Sequence, residues 1–303
     1  MMRRILVRGV MAAALIALFL AADACRSKPE LHAKYYQMKG AVISVDVGHE
    51  QIIVSHEAIP GFMEAMTMSY GVKDDAALKQ LKPGDRITAR VVVTSDNVWL
   101  DNIVIARKAA ANAPPPELDQ HVPQPGELVP DFTFVNQYGR RVHFRSYRGK
   151  AVLLTFIYTR CPFPNYCPLM TRNFAEINKQ LAANFALNFE TRLLTLSFDP
   201  AHDTPAVLKA YGLQYVGNND PEFRRWEFAS VPSAELKDVS RFFGITYEEQ
   251  GGQIVHSLST ALVGPDQKLF RWYSGNGWTP SEVLKDIKTL ENGTPVTRKQ
   301  MLQ

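Results

Sequence analysis

A proline-rich segment, residues 108–125, divides the 303-residue chain into two parts with different hydrophobic patterns. Before it, short runs such as residues 41–47 (AVISVDV) alternate apolar and polar positions, as half-buried antiparallel strands do. After it, residues 151–158 (AVLLTFIY) are continuously apolar, which is typical of a strand buried on both faces of a sheet. Because proline-rich segments are extended, semi-rigid spacers, the sequence predicts two domains joined by a linker.

The two patterns predict two fold classes. In the first part, short alternating strands predict a small all-β, OB-like barrel of about five strands over residues 36–107, with an irregular stretch at 59–70. In the second part, strands alternate with helices over residues 126–290, which predicts an α/β sandwich. Residues 26–35 are predicted to be a polar tether, and residues 291–303 a loosely held polar tail.

The N-terminus predicts export. A basic start, residues 1–8, precedes an uncharged apolar run at 9–22, which is shorter than the about 20 residues of a membrane-spanning helix but typical of a signal peptide. The tetrapeptide Ala-Asp-Ala-Cys that ends at Cys25 resembles a lipobox, in which the cysteine is acylated, although Asp23 departs from that pattern. Cleavage after Ala24 without a lipid and a retained N-terminal anchor are the alternatives. All three place the mature chain outside the cytoplasm.

Composition excludes two classes of protein. The chain has 34 Lys and Arg residues against 30 Asp and Glu, and the predicted signal peptide carries half of the net charge of +4. Binding to nucleic acid depends on an excess of basic groups, so we expect no nucleic-acid partner. A hydrophobic fraction of 46% also excludes a disordered chain.

Soft metal ligands are concentrated in one stretch of the first part. His56, Met63, Met66 and Met68 lie within thirteen residues of one another. Met66 and Met68 are two residues apart, so on an extended segment their thioethers share a face. Thioethers with one imidazole suit Cu(I) better than zinc or hard cations. Alternatively, the methionines only fill the mouth of a small barrel, since Met is a common filler of irregular gaps.

Residues 36–106 resemble the CusF-like family of periplasmic copper-binding domains, small barrels that bind Cu(I) through a histidine and a Met-x-Met pair. The matching residues are His56 and Met66-Thr67-Met68, together with the Pro-Gly-Asp turn at 83–85. In that family a tryptophan caps the metal from the position that Met63 occupies in this chain. The resemblance implies a Cu(I) site of His56, Met66 and Met68, with Met63 as a cap or an additional ligand.

The second part contains a pair of cysteines, Cys161 and Cys167, separated by Pro-Phe-Pro-Asn-Tyr. The pair follows a predicted buried strand and precedes a predicted helix, and a helix N-terminus lowers the pKa of a nearby thiol. A thiolate both attacks disulfides and binds metal, so this position alone predicts either chemistry. A structural disulfide that closes the short loop is a third interpretation.

Residues 126–290 resemble the Sco/SenC family of copper-binding, thioredoxin-like proteins. The matching motifs occur in this order: Gly149-Lys150 with the following strand, Thr159-Arg160-Cys161-Pro162, Cys167-Pro168, Ser197-Phe198-Asp199-Pro200, Asp203-Thr204-Pro205 and Ile254-Val255-His256-Ser257. The resemblance implies a thioredoxin-like fold and a site of Cys161, Cys167 and His256 for Cu(I) and Cu(II), with Asp199 supporting the ligands. The chain departs from the family in having five residues between the cysteines where the family has three.

These features together predict an exported copper metallochaperone rather than an enzyme. The resemblance implies delivery to the dinuclear copper centre of a respiratory oxidase, with an exported or membrane copper protein, such as an oxidase subunit, as the partner. One alternative is a thiol–disulfide oxidoreductase that uses Cys161 and Cys167, although their spacing is unlike the Cys-x-x-Cys of efficient oxidoreductases. Another is copper tolerance by sequestration. With both sites on one chain, we also expect the first to pass Cu(I) to the second.

Overall fold

The computed structural model describes residues 33–94, 97–110, 121–183, 191–217, 220, 222–250 and 253–291. The predicted signal peptide, the lipidation site Cys25 and most of the predicted tail and linker therefore lie outside the described residues. Both domains belong to one compact unit that starts at Lys34. Within the described ranges, none of the helices has the length and apolar character needed to cross a bilayer.

The first domain is a closed five-stranded barrel. Its strands are β1 (Lys34–Asp46), β2 (Gln51–His56), β3 (Met66–Val72), β4 (Arg86–Val93) and β5 (Val98–Arg107), and helix α1 (Asp75–Gln80) lies between β3 and β4. The strand order is β1-β2-β3-β5-β4, and β4 pairs back onto β1 to close the barrel. Only the short β3–β5 pairing is parallel among these strands. This arrangement confirms the predicted OB-like barrel.

The barrel departs from the sequence prediction at two places. The stretch at 59–70, predicted to be irregular, contains the start of β3, because Met66, Met68 and Tyr70 alternate with residues of the opposite face and bury one side of a strand. Strand β1 begins inside the predicted tether 26–35. Lys34 extends the ladder by pairing with Val93 of β4, so the sheet starts two residues before the predicted domain boundary.

The second domain is built on a seven-stranded sheet. Its strands are β6 (Thr133–Asn136), β7 (Arg141–His143), β8 (Ala151–Ile157), β9 (Thr191–Ser197), β10 (Trp226–Ser230), β13 (Ser259–Val263) and β14 (Leu269–Ser274), whereas β11 (Tyr247–Gln250) and β12 (Gln253–His256) form a separate hairpin. The order is β14-β13-β8-β9-β10-β6-β7, with a parallel centre of β8, β9 and β10. Every residue of β8 is buried, as its apolar run predicts. Two residues, Ser257 and Leu258, separate β12 from β13.

Helices cover both faces of this sheet. They are α2 (Cys167–Ala183), α3 (Pro205–Val216), α4 (Ser233–Phe242) and α5 (Pro280–Glu291), together with a 3-10 helix at Phe144–Tyr147. Helices α2, α3 and α5 pack on one face through Phe174, Leu208 and Ile287. On the opposite face, Leu236 and Val239 of α4 pack against a cluster of aromatic side chains. Strands at the centre with helices on both sides confirm the predicted α/β, thioredoxin-like class. Because α5 ends at Glu291, it includes the first residue of the predicted tail.

Residues 121–125, the last part of the predicted linker, pack against the second domain. The His121 ring stacks on Phe242 with 5.4 Å between centroids, and His121 Nε2 lies 2.7 Å from a carboxylate oxygen of Glu127. Pro123 lies against Gly244. Residues 121–125 are therefore part of the second domain, which corrects the predicted linker boundary at residue 125.

The two domains contact each other along β2 and β3 of the barrel. The Thr246 hydroxyl donates a hydrogen bond to the Thr67 carbonyl (3.0 Å), and the hydroxyls of Ser69 and Ser274 form a second link. His49, in the β1–β2 turn, lies 2.8 Å from a carboxylate oxygen of Glu282 on α5. The barrel therefore lies directly on the domain that carries the cysteines.

Candidate metal sites

The two cysteines and His256 converge at one end of the sheet. Cys161 lies in the loop after β8, Cys167 begins α2, and His256 ends β12. Their ligand atoms all lie within 4.8 Å of one another, and the Cys167 sulfur is 3.4 Å from His256 Nε2. Both cysteines are free thiols, with Cys167 buried and Cys161 half-buried. This geometry brings together the three residues predicted from separate motifs.

A backbone carbonyl fixes the orientation of His256. Its Nδ1–H donates to the Ser257 carbonyl at 2.8 Å, and the ring packs between Phe198 (4.6 Å between centroids) and Tyr158 (5.6 Å). In the neutral ring Nε2 then carries a lone pair, and it faces the thiols. Histidines that bind metal are commonly held in this way, with the second ring nitrogen bonded to a carbonyl.

The two thiols have opposite acid–base behaviour. A hydrogen bond from the Cys167 thiol lowers the pKa of Cys161 to about 4, against the opposing effect of burial. Burial, together with the neighbouring Cys161, raises the pKa of Cys167 well above its ordinary value. The surroundings therefore favour a thiolate at Cys161 over one at Cys167. A metal ion that displaces the Cys167 proton gains a second thiolate ligand.

Two buried aspartates fix the segment that leads to Cys161. Asp203 accepts hydrogen bonds from the Thr159 amide (3.0 Å), the Thr159 hydroxyl (2.5 Å) and the Ser197 hydroxyl (2.6 Å). Asp199 accepts from Nε of Arg160 at 2.9 Å. Asp199 is therefore placed behind the residue that precedes Cys161, outside the three-ligand group. The sequence predicts a supporting role for Asp199 but none for Asp203, because the hydrogen bonds of Asp203 to Thr159 and Ser197 form only in the folded chain.

In the barrel, His56, Met66 and Met68 share one face. His56 stands opposite Met66 in the β2–β3 ladder, and Met68 stands opposite Val54, two residues further along both strands. Directly opposed residues of an antiparallel pair lie side by side on the same face. All three predicted ligands are at least nine-tenths buried, and they lie in the apolar interior of the barrel.

Met63 joins this group through Tyr70. The buried Met63 sulfur accepts a hydrogen bond from the Tyr70 hydroxyl at 3.6 Å, and the Tyr70 ring lies 5.8 Å from the His56 ring, edge to face. Tyr70 is on the same face of β3 as Met66 and Met68. The sequence reasoning did not include Tyr70, although its two-residue spacing from Met68 places it on the same face.

His56 has an unsatisfied nitrogen that fits a metal ion. Its Nδ1–H donates to the Glu57 carbonyl at 2.8 Å, and Nε2 is buried without a hydrogen-bond partner among the described residues. Burial lowers the pKa of His56, so the ring is neutral and Nε2 carries a lone pair. An unsatisfied buried polar atom costs about 1–3 kcal/mol. A soft ion bound by Nε2 and the thioethers would satisfy it.

The fold and sites define a thioredoxin-like domain with a dithiol–imidazole centre, joined to an OB-like barrel with a thioether–imidazole centre. The SCO1/SenC family model matches residues 120–292, which is more than half of the chain. The chain therefore belongs to the SCO1/SenC family. Residues 35–103 match the family described as copper binding periplasmic protein CusF. Both matches confirm the resemblances found in the sequence.

Three known proteins illustrate the extent of the similarity. The SCO1 protein homolog of Bacillus subtilis (strain 168) is 33% identical over 166 residues, which cover 53% of this chain and 81% of that protein. The mitochondrial Protein SCO2 homolog of Bos taurus is 29% identical over 151 residues, covering 48% of this chain and 53% of that protein. A solved structure of BsSco is described as that of a member of the Sco family of cytochrome c oxidase assembly proteins, with a disulfide switch. It is 32% identical in sequence, and the match covers 56% of this chain and 98% of the BsSco chain, with a TM-score of 0.47.

Proposed function

We propose that this protein is a copper metallochaperone, which binds copper at Cys161, Cys167 and His256 and delivers it to another exported or membrane protein. The observation that carries the proposal is the convergence of two thiols and one imidazole within 4.8 Å, in a chain of the SCO1/SenC family. Thiolates and imidazole together accept both Cu(I) and Cu(II). Family membership and the family of the named BsSco relative favour a respiratory oxidase as the receiving partner.

The barrel supports copper over zinc as the cargo. Two thiolates and one imidazole could also hold zinc. Thioethers, however, select soft Cu(I) and are poor zinc ligands, and the barrel places Met66 and Met68 beside His56. We propose that these three residues bind Cu(I), with Met63 as a cap or a fourth ligand.

The exposure of the ligands fits delivery. Cys167 and His256 are buried, whereas Cys161 is half-buried and is therefore the ligand that an acceptor protein reaches first. Copper can then move by exchange of one sulfur ligand at a time, and the thiolate state of Cys161 keeps its lone pairs free of a proton.

We further propose that the protein works on the outer side of a bacterial cytoplasmic membrane. The predicted signal peptide and the description of the barrel's family as periplasmic support export. The lipobox-like sequence that ends at Cys25 supports a lipid anchor. Labelling cells with a radioactive fatty acid tests the anchor, because a Cys25→Ser variant should take up no label and be released from the membrane.

Copper stoichiometry and spectroscopy test the central proposal. The mature chain should bind two Cu(I) ions, and Cys161→Ser or Cys167→Ser should each reduce this number to one. With Cu(II), the reduced parent should show thiolate-to-copper charge-transfer bands that both variants lack. A Cys25→Ser variant is the matched control and should keep both ions. Copper binding that does not change when either Cys161 or Cys167 is replaced would contradict the proposal.

A second candidate function is thiol–disulfide exchange, which the low pKa of the half-buried Cys161 favours. In this reaction Cys161 attacks a partner disulfide, Cys167 resolves the mixed disulfide, and the two thiols give up two electrons and two protons to the partner. Reduced, copper-free protein mixed with oxidised glutathione measures it. Rapid stoichiometric formation of reduced glutathione, together with weak copper binding, would favour this role over metal delivery.

A further inference from the structure

Gln51 of the barrel is inserted into a turn of the second domain, residues 275–277. With its amide oriented to satisfy both ends, Gln51 donates to the Ser274 carbonyl (3.2 Å) and accepts from the Gly277 amide (2.6 Å). A Cβ atom at Gly275 or Gly277 would clash with the Gln51 amide. The two glycines therefore form a notch that fits this side chain.

The same turn holds the segments that carry the copper ligands of the second domain. The Asn276 side chain donates to the Asn165 carbonyl at 3.0 Å, and the Gly275 amide donates to the Leu258 carbonyl at 3.0 Å. Asn165 lies in the five-residue loop between the cysteines, and Leu258 lies two residues after His256. One turn thus connects the barrel to both ligand-bearing segments.

A small cavity lies at this junction. Its lining includes Met68 and Ser69 from the barrel, and Tyr166, Leu258 and Asn276 from the second domain. Met68 is a proposed Cu(I) ligand, and Tyr166 directly precedes Cys167. The cavity therefore lies between Met68 of the barrel and Tyr166, the residue before Cys167.

Two tyrosines lie along the same route. Tyr70 donates to the Met63 sulfur in the barrel, and it is near enough to Tyr166 that this neighbour adds to the effect of burial in raising the pKa of Tyr70. Tyr166 is half-buried and lies close to Cys161. Tyr70 is thus close to both Met63 and Tyr166, and Tyr166 is close to Cys161.

We propose that Cu(I) passes directly from the barrel site to the cysteine site through this junction while the domains are docked, without release to solvent. This inference rests on the proposed copper-binding function. In the transfer, bonds from copper to His56 and the methionines break, and bonds to Cys161, Cys167 and His256 form. Copper stays Cu(I), so no electron is transferred, and any proton on the thiols leaves to solvent as the copper–sulfur bonds form. The direction follows from ligand strength, because thiolate is the stronger donor for Cu(I).

The junction also gives a role to the longer cysteine loop. Two of its five residues, Asn165 and Tyr166, contact the turn or line the cavity. Transfer by a tether alone would depend on the linker, which keeps two domains at an effective concentration of about millimolar. Transfer at a docked junction depends on the contact between the domains instead, and this difference can be measured with a copper trap.

The experiment uses the full chain. The cysteine pair is first oxidised to a disulfide with diamide, so that one equivalent of Cu(I) loads only the barrel. A phosphine reductant then opens the disulfide in the presence of the Cu(I) chelator bathocuproine disulfonate. The ultraviolet band of Cu(I)–thiolate reports delivery, and the colour of the chelator complex reports escape. In the parent most of the copper should reach the thiolates despite the chelator.

Two variants should divert the copper to the chelator. Ser274→Arg places a long side chain against Ser69, and Gly277→Ala displaces Gln51. Each should raise the ratio of captured to delivered copper at least about tenfold. Ser146→Arg, at an exposed position of the 3-10 helix, is the matched control and should behave as the parent. Equal capture by the parent and both junction variants would overturn the proposal.

Direct loading separates failure of the route from failure of the function. Cu(I) added to each reduced protein without chelator should produce the thiolate band, which also shows that the variant is folded. If the band is absent from the parent, the proposed copper function is wrong. If the band is present but copper stays on the barrel after the disulfide is opened, the transfer route is wrong, and the barrel is a sequestration site.

Discussion

The two candidate metal sites hold their histidines in the same way and differ in their sulfur groups. His56 and His256 each donate from Nδ1–H to the carbonyl of the following residue, at 2.8 Å in both cases. In the second domain Nε2 faces the Cys167 thiol. In the barrel Nε2 has no partner among the described residues, and the uncharged side chain of Met66 stands opposite His56 in the ladder.

This comparison separates two contributions to a metal site. The backbone carbonyl selects the tautomer and orients the ring, and it does so equally in both domains. The sulfur atoms then determine charge and strength, since thiolates bring negative charge to the metal and thioethers bring none. With the proposed ligands, the barrel would therefore provide a weaker, buried site for Cu(I), and the second domain a stronger site with one half-buried ligand.

The largest expected difference follows from loss of a thiolate. Cys167→Ser should lower the affinity of the second site for Cu(I) at least about 100-fold, more than loss of a supporting contact does, while Met68→Leu should leave that site unchanged. A competition titration with bathocuproine disulfonate measures both. If Met68→Leu weakens the second site as much as Cys167→Ser, the two sites do not bind separately and the comparison fails.

The sequence could predict the candidate ligands because each lies in a local motif. The Met-x-Met spacing of Met66 and Met68 requires only that the segment be extended, and β3 provides this even though the sequence reasoning treated the stretch as irregular. The strand was missed because Met, Ser and Gly carry a weak strand signal compared with the Val- and Ile-rich β2 and β4.

The docking of the domains could not be predicted in the same way. Gln51 and Gly277 are more than 200 residues apart in the chain, and a polar residue at a strand start and a glycine in a turn are ordinary choices. Asp203 shows the same limit, since its hydrogen bonds to Thr159 and Ser197 arise only when the loops after β8 and β9 come together. Long-range contacts between polar residues leave no periodic pattern in a sequence.

The next largest expected effect is on stability, and it comes from the buried carboxylates that support the cysteine site. Asp203→Asn should destabilise the copper-free second domain by about 2–3 kcal/mol, because an amide nitrogen cannot accept hydrogen bonds from Thr159 and Ser197. Urea unfolding of the copper-free chain measures it. Asp199→Asn is the control with a smaller expected loss, since its partner Arg160 is partly exposed. Equal losses in both variants would show that burial of Asp203 is unimportant.

Because Nε2 of His56 has no hydrogen-bond partner among the described residues, replacing His56 should weaken Cu(I) binding but hardly change the free energy of unfolding. His56→Leu should weaken Cu(I) binding by the barrel at least about tenfold, yet change the unfolding free energy of the copper-free chain by no more than about 1 kcal/mol, because it also removes the buried orphan Nε2. The exposed His202→Leu is the matched control and should change neither quantity. A large loss of stability in His56→Leu would mean that Nε2 has a partner in the copper-free protein.

The smallest expected effect is a pH dependence of the contact between the domains, which comes from His49. Its Nδ1–H and Nε2–H donate to Asp46 (2.6 Å) and Glu282 (2.8 Å). Burial opposes protonation of His49, but these two carboxylates outweigh it and raise the pKa above 6.5. A group whose pKa is raised in the folded state stabilises that state fully below its unfolded pKa and loses the effect as the pH rises through the folded value. Docking should therefore be tighter at about pH 6 than at about pH 9, by no more than about 1 kcal/mol because the pair is partly exposed.

Hydrogen exchange of the Gly277 amide, which bonds to Gln51, measures this difference. An amide in the centre of β8 serves as the reference. In His49→Gln the difference should vanish, and an unchanged pH dependence in that variant would place the titrating group elsewhere.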